Sequence, residues 1–374
     1  MNEKTKGPAI VRSIFITERF FAAPLFFLMA ETPQTFAQQN PETYGGNSKS
    51  DYVFTVWVSD NNDGTYSNQV LFADYSDPDI CKAGDDFYMT SSSFNCVPAL
   101  PILHSRDLVN WTIVNHAVKR FSDEYYNTVQ HGNGVWAPSI RFHDGWFYIY
   151  WGDPDRGIYM VKTQNPKGAW SSPALVKKAY GNIDPCALWD DDGKVYLVHA
   201  FANSRAGVSD ILQVQELTPD GSGVTRNRKI VFNGYLANHT LEDPKFYKRN
   251  GYYYIFVPAG GVAAGWQLVL RSQDPFGPYE ERIVLAQGDT EINGPHQGGY
   301  VELKNGEGWF VHFQEKQPYG RIVLLQPVNW KDDWPVMGID KNMDGTGEPV
   351  DWRKSGFGNH GYGLCFTLHY EKRQ

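Results

Sequence analysis

A recurring punctuation constrains this chain more than any other feature: a turn glycine followed by a run of bulky, β-forming residues. It appears as "AGDDFYMTSSS" at Gly84, "HDGWFYIYWGD" at Gly145, "DDGKVYLVHAF" at Gly193, "RNGYYYIFVPAG" at Gly251 and "NGEGWFVHFQ" at Gly308. Successive glycines stand 61, 48, 58 and 57 residues apart. D-G and N-G pairs between strand-forming runs suit type I′ hairpins, whose two central residues both need positive φ. A unit of this length holds about four strands, the size of a propeller blade. Second hairpins follow in "GIYMVKTQNPKGAW" (157–170), "DILQVQELTPDGSG" (210–223) and "WQLVLRSQDPFGPY" (266–279). Between the hairpins no twelve-residue stretch keeps the apolar period of a helix. The expectation is an all-β, five-bladed β-propeller over residues 51–340. A β-sandwich with long loops is the structural rival, but it leaves the regular spacing unexplained. "DYVFTVWVSD" (51–60) reads as a strand that pairs into the last blade.

Composition narrows the partners. The net charge is −8, with 34 Lys and Arg against 42 Asp and Glu, which argues against a polyanionic nucleic-acid partner. Aromatics make up 15 % of the chain, as expected for hairpin cores and for surfaces that meet the flat faces of sugar rings. Cys81, Cys96, Cys186 and Cys365 show no zinc-like spacing and read as free, buried thiols, with one disulfide open. There is no HExxH, P-loop or GxGxxG signature.

Outside the repeat, "FFAAPLFFLMA" (20–30) follows Lys4, Lys6, Arg12 and Arg19 and precedes a small residue at Ala37. Residues 1–37 therefore read as a secretory signal, 38–50 as a polar linker, and the mature protein as secreted or periplasmic. The apolar run falls short of the roughly 20 residues a membrane-spanning helix needs. Residues 341–374 differ in character from the repeats and are set apart as a tail.

Each unit also carries a chemical marker shortly before its glycine. Asp77-Pro78 lies seven residues before Gly84, Trp136-Ala137-Pro138 nine before Gly145, and Asp184-Pro185 nine before Gly193. Glu242-Asp243-Pro244 lies nine before Gly251, and Pro295-His296 twelve before Gly308. The stretch between marker and glycine is then the innermost strand of each blade, and the markers converge on one face around the axis. Three carboxylates gathered beside aromatics repel one another without a partner, so chemistry or a metal is the reading for the set. A pair of carboxyl groups, one protonated and one ionised, is what glycosidic hydrolysis requires. A third nearby raises the pKa of the acid and holds its orientation.

At these residues the sequence resembles family-43 glycoside hydrolases, five-bladed propellers that include β-xylosidases, α-L-arabinofuranosidases and arabinanases. "YSDPDICKAGDDFYMTSSSF" resembles the segment of the general base and implies that role for Asp77. "NIDPCALWDDDGKVYL" resembles the segment of the pKa-modulating aspartate, Asp184, and "LEDPKFYKRNGYYYIF" that of the general acid, Glu242. "GVWAPSIRFHDGWFYIYW", "NGPHQGG" and "YGRIVLLQPVNWKDDWP" imply Trp136 at the sugar, His296 near a channel cation or water, and Arg321 supporting acid and substrate. The β-xylosidase-like segments "SSSFNCVPALPILHSRDLVNW" and "PAGGVAAGWQLVLRS" add Phe94 and Trp266 to the substrate-binding set; Trp266 reads equally as filling a blade interface. The resemblance covers roughly residues 66–338.

It implies an inverting, exo-acting hydrolase that releases xylose or arabinose from hemicellulose oligosaccharides such as xylan and arabinoxylan fragments. It requires no cofactor, with a structural Ca²⁺ near His296 left open. Members of this branch often carry a β-sandwich after the propeller, and residues 341–374 are expected to be its truncated start. One departure stands out. The family usually has Glu-Gly-Pro at the acid, and here Asp243 takes the glycine's place, putting a further carboxylate beside Glu242. The alternative is thus a carbohydrate-binding propeller with an impaired acid site. A fructan-processing propeller is disfavoured, because Ile183 and Asp243 stand where Arg-Asp-Pro and Glu-Cys would be expected. A protein-interaction propeller gives no reason for axial acids.

Overall fold

The computed structural model describes residues 57–354. The expected signal segment, the linker and residues 355–374, Cys365 among them, lie outside the described residues. Twenty of the strands form five antiparallel four-stranded sheets, each built from consecutive strands in chain order. Blade 1 comprises β2 (Asp79–Ala83), β3 (Asp86–Thr90), β4 (Ala99–Ser105) and β5 (Thr112–Val118); blade 2 comprises β6 (Trp136–His143), β7 (Trp146–Asp153), β8 (Gly157–Thr163) and β9 (Ala174–Lys178). Blade 3 is β10 (Asn182–Trp189), β11 (Val195–Phe201), β12 (Ile211–Leu217) and β13 (Val224–Asn233). Blade 4 is β14 (Lys245–Arg249), β15 (Tyr252–Ala259), β16 (Trp266–Ser272) and β17 (Glu280–Leu285), and blade 5 is β18 (His296–Glu302), β19 (Gly308–Glu315), β20 (Arg321–Lys331) and β21 (Trp334–Met337). The architecture is the expected five-bladed propeller.

The turn chemistry follows the residues. Asp144-Gly145 and Asn250-Gly251 are two-residue loops with positive φ at both positions, between the pairs His143/Trp146 and Arg249/Tyr252. That is the type I′ geometry expected of D-G and N-G. Blade 5 differs from the expectation. Its turn glycine is Gly306 (φ 86°), whereas Gly308 already lies in β19. The turn thus falls ten residues after His296, close to the spacing of the other blades.

The first strand of each sheet faces the axis. β2, β6, β10 and β14 pack side by side, and β18 closes against β2. Their close approach depends on small residues: a Cβ on Gly299 of β18 would sit 2.4 Å from Asp79 Oδ1 in β2. The apolar core is divided among the blade interfaces. One cluster joins blades 5 and 1 through Ile80, Phe87, Trp309 and Val311, and another joins blades 3 and 4 through Val198, Leu212, Phe246 and Ile255. Burying each such side chain contributes about 1.5–3 kcal/mol, so the interfaces hold the ring together. Most of the aromatic excess sits in these layers.

Among the described residues, the ring closes through the chain just ahead of blade 1. Leu71 pairs with Val323 of β20 by two backbone hydrogen bonds of 3.2 and 3.0 Å, tying the chain just ahead of blade 1 to blade 5. Of residues 51–60, those described (57–60) form no strand with the last blade; Asp60 bridges Tyr66 instead. A short β1 (Thr65–Ser67) pairs with β22 (Trp352–Lys354) as a separate ribbon. Cys81 and Cys186 are buried free thiols as expected, whereas Cys96 is exposed and free.

Candidate active site

Where the inner strands begin, the backbone repeats more strictly than the sequence markers do. Asp77, Ala137, Asp184, Asp243 and Gln297 all have positive φ, at 54°, 28°, 57°, 50° and 44°. Four of them precede proline and the fifth precedes Gly298. They are therefore equivalent positions, and three are aspartates, a residue type that tolerates the left-handed region better than most. The residues one step earlier are Ser76, Trp136, Ile183, Glu242 and His296. The five sequence markers straddle these two adjacent rings.

Asp77 is 5 % exposed and tightly held. Arg321 Nη1 donates to its Oδ1 at 2.7 Å, Ser76 Oγ donates to Oδ2 at 2.8 Å, and Ser92 Oγ donates to the same oxygen. Ser92 also accepts the Ala137 N–H at 2.8 Å, which fixes the Asp77 carboxylate relative to the Trp136 turn of blade 2. Arg321 stacks over Phe313 at 4.6 Å from the ring centre. The carboxylate it touches is Asp77, the expected base, while it acts on Glu242 through its charge.

Asp184 is buried, and its Oδ2 accepts the Asp243 N–H at 2.8 Å. Burial, then the charge of Glu242, hold its carboxyl well above the usual range, with the Asp243 N–H and Lys245 opposing. Glu242 is half-buried. Burial, followed by Asp77 and Asp243, pushes its carboxyl up to about 7; Arg321 pulls the other way and Asp210 adds to the rise. Asp210 reaches over from blade 3, where its Oδ1 accepts the Leu241 N–H at 3.1 Å and so secures the residue before Glu242. The result is a carboxyl that keeps its proton near neutrality, beside a carboxylate ion-paired to arginine. Such a pair can donate a proton on one side and activate water on the other.

Glu242 opens into a pocket of about 360 Å³ lined by Trp136, Ile183, Asn203, Asp210 and His239 among others. The Trp136 indole donates to Gly132 O at 2.6 Å, and Arg205 lies 5.6 Å from its ring centre. Phe94 exchanges two 3.0 Å backbone hydrogen bonds with Val135, so it adjoins the Trp136 strand start without lining this pocket. Trp266 likewise stays off the pocket wall. It packs on the interface of blades 3 and 4 and meets the ring of His239 edge-on at 5.9 Å. His296 is fully buried, and burial followed by Arg321 lowers its imidazole to about 3, so it is neutral. Calcium takes six to eight oxygen ligands. Among the described residues no group of three or more His, Cys, Asp or Glu side chains is arranged to hold an ion.

Several site residues escape sequence reasoning. Ser76 and Ser92 hold Asp77, Asp210 braces the turn of Glu242, and Lys245 Nζ is ion-paired with Asp243. Only Lys245 carries a local signal. It lies two residues beyond Asp243 at the start of a strand, so both side chains fall on one side of the chain.

A five-bladed propeller thus gathers carboxylates where its inner strands begin, with Asp77 paired to Arg321 and the Glu242 carboxyl pushed up to about 7. The profile of glycosyl hydrolases family 43 matches residues 66–335, and the chain belongs to that family. A relative from Xylanibacter ruminicola is 43 % identical over 317 residues, covering 84 % of this chain and 58 % of its own length. A beta-xylosidase of Formosa agariphila is 34 % identical, covering 78 % of this chain and 54 % of its own. The non-reducing end alpha-L-arabinofuranosidase BoGH43B of Bacteroides ovatus is also 34 % identical, at 74 % and 54 % coverage. Among solved structures, xylan beta-1,4-xylosidase from Bacillus halodurans C-125 superposes with a TM-score of 0.68 at 28 % identity, covering 80 % of this chain and 60 % of that one. The chain thus spans little more than half the length of the curated relatives it matches.

Proposed function

We propose that this protein is an exo-acting glycoside hydrolase that removes a terminal xylose or arabinose from hemicellulose oligosaccharides with inversion at the anomeric carbon. The observation that carries the reading is the pairing of environments: Glu242 held protonated to about pH 7, and Asp77 gripped by Arg321 and two serines. Glu242 protonates the departing glycosidic oxygen as the bond to the anomeric carbon breaks. Asp77 takes a proton from the water that attacks the opposite face, so the sugar gains hydroxide and the leaving sugar gains a proton. Asp184 accepts the Asp243 N–H and so holds the turn that presents Glu242. The pocket beside Glu242, with Trp136 as one wall, suits a sugar. Both names carried by the relatives, beta-xylosidase and alpha-L-arabinofuranosidase, fit a pentose at this position.

The test is release of p-nitrophenol from the β-D-xyloside and the α-L-arabinofuranoside by wild type, Glu242→Ala and Asp77→Ala, with the anomer of the released sugar read by NMR. At least one substrate should turn over, with the inverted anomer appearing first. Each variant should lose about 10²–10⁴-fold in kcat. The aryl leaving group needs little proton assistance, so Glu242→Ala should lose more on xylobiose than on the nitrophenyl substrate. Retention of configuration, or full activity in Asp77→Ala, would sink the reading.

A further inference from the structure

The acid turn contains two charges that the hydrolytic scheme does not use. Asp243 and Lys245 are both completely buried, and Lys245 Nζ contacts Asp243 Oδ1. The other carboxylate oxygen, Asp243 Oδ2, is buried and has no hydrogen-bond partner among the described residues. Asp243 occupies the same backbone position as Asp77 and Asp184, with the same left-handed φ, so it is the fourth carboxylate of one axial set. Its own N–H holds Asp184, and its neighbour in sequence is Glu242. An added negative charge here without compensation would burden both residues. Left unpaired, a charge buried this deeply would also destabilise the fold.

We propose that Asp243 and Lys245 form a charge-compensated positioning pair. Lys245 neutralises the fourth axial carboxylate, and the pair locks the turn that presents Glu242 to the substrate and the Asp243 N–H to Asp184. This rests on the hydrolytic reading of the same site. The groups facing the pair are accounted for. Glu242 feels Asp77, Asp243, Arg321 and Asp210; Asp184 feels Glu242, Lys245 and Asp77; Lys245 faces Asp243, Asp79 and Cys186. Burial holds the Asp243 carboxyl itself well above the usual range, with Lys245 opposing that rise and Asp184 and Asp77 adding to it. Burial alone would drive Lys245 down, but Asp243 and then Asp79 and Cys186 hold it above its ordinary value. Asp79 is itself paired to Arg141 at 2.6 Å, and Arg141 Nη2 donates to Cys186 Sγ at 2.8 Å, so Asp243 remains the nearest countercharge for Lys245. The glycine usual at this point in the family meets the same φ without a charge.

The test is a cycle in the full chain: Asp243→Gly, Lys245→Met and the double variant, with Asp243→Asn for the pH profile. Lys245→Met should lose on the order of tenfold to a hundredfold in kcat/KM, as expected when a catalytic group is displaced. It should also lower Tm, and the double variant should recover most of both losses. Asp243→Asn removes a charge that raises Glu242, so the alkaline limb of the kcat/KM profile should move to lower pH. The ¹³C-detected titration of the Glu242 carboxyl, which needs no turnover, should move the same way. A silent wild type with a Glu242 titration that still responds to Asp243→Asn would overturn the hydrolytic reading and leave the pair standing. Lys245→Met with wild-type rate and Tm, a double variant no better than Lys245→Met, or an unmoved Glu242 titration would overturn the pair.

Discussion

At the scale of single residues, the site is a problem in placing charge. Burial, then Asp77 and Asp243, push the Glu242 carboxyl from its ordinary 4.5 up to about 7, so the folded state binds this proton more tightly. Its contribution to stability is therefore complete below the unfolded value and is lost as pH rises through about 7. Activity that needs the protonated acid declines over the same interval. Arg321 opposes the rise at Glu242 and pairs directly with Asp77. Arg321→Ala should accordingly do two things at once. It should lower kcat/KM on the order of 10²-fold by freeing the base, in line with removal of one preorganised donor. It should also move the alkaline limb to higher pH, because Glu242 loses its nearby cation. A pH series of kcat/KM separates this from general damage, which would lower the curve without moving the limb.

At the scale of the element, each inner strand opens with a left-handed residue, and the site is made where those openings meet. The repeat was readable because every blade must reverse its chain at the same place, and Asp-Gly or Asn-Gly is the cheap way to do it. The axial acids were readable for the same reason. The markers nevertheless mix two adjacent positions, since Trp136, Glu242 and His296 stand out by their chemistry, whereas Ala137, Asp243 and Gln297 are the conformational equivalents of Asp77 and Asp184. The burial of Lys245 is not legible, because a lysine at a strand start is ordinarily solvated; only packing on every side makes it internal. The serines on Asp77 were invisible for a further reason, because Ser92 reaches it from across a hairpin. Strand packing near the site also has little slack. A Cβ on Gly152 of β7 would lie 2.8 Å from the Cα of Ile183 and 3.1 Å from the N of Asp184. Gly152→Ala must push the Asp184 turn aside. It should cost about 1–3 kcal/mol by the usual penalty for overpacking, and lower kcat more than that loss of Tm would suggest. Thermal melts and kcat measured well below Tm would show both, and an unchanged kcat would mean that the turn absorbs the methyl elsewhere.

At the scale of the whole molecule, a propeller built from consecutive strands has no shared blade to lock its ends. Here the lock is a short run ahead of blade 1. Asn68 Nδ2 donates to Leu325 O at 3.0 Å and to Val350 O at 2.6 Å, and its Oδ1 accepts the Leu325 N–H at 2.9 Å. One side chain thus fastens the entry to blade 1, the third strand of blade 5 and the chain that follows blade 5. Three residues on, Leu71 completes the seam with Val323. None of this was legible, because a lone asparagine in "YSNQVLF" carries no signal until the ring brings residues some 250 positions apart together. Asn68→Ala removes three hydrogen bonds, at about 1 kcal/mol each, although Leu325 O keeps the Tyr66 hydroxyl at 2.8 Å. The expected loss of about 3 kcal/mol should appear as a fall in Tm of several degrees, with KM unchanged at temperatures where the protein is folded. Asn68→Asp separates the bonds. It keeps the acceptor for Leu325 N–H but supplies no donor, so Val350 O loses the Asn68 amide while Leu325 O keeps the Tyr66 hydroxyl, and it should fall between wild type and alanine. If the aspartate melts lower than the alanine, the carbonyls facing position 68 repel its charge and the two donated bonds dominate the seam; equal melting of all three proteins would place the closure in the Leu71 pairing and the blade interface instead.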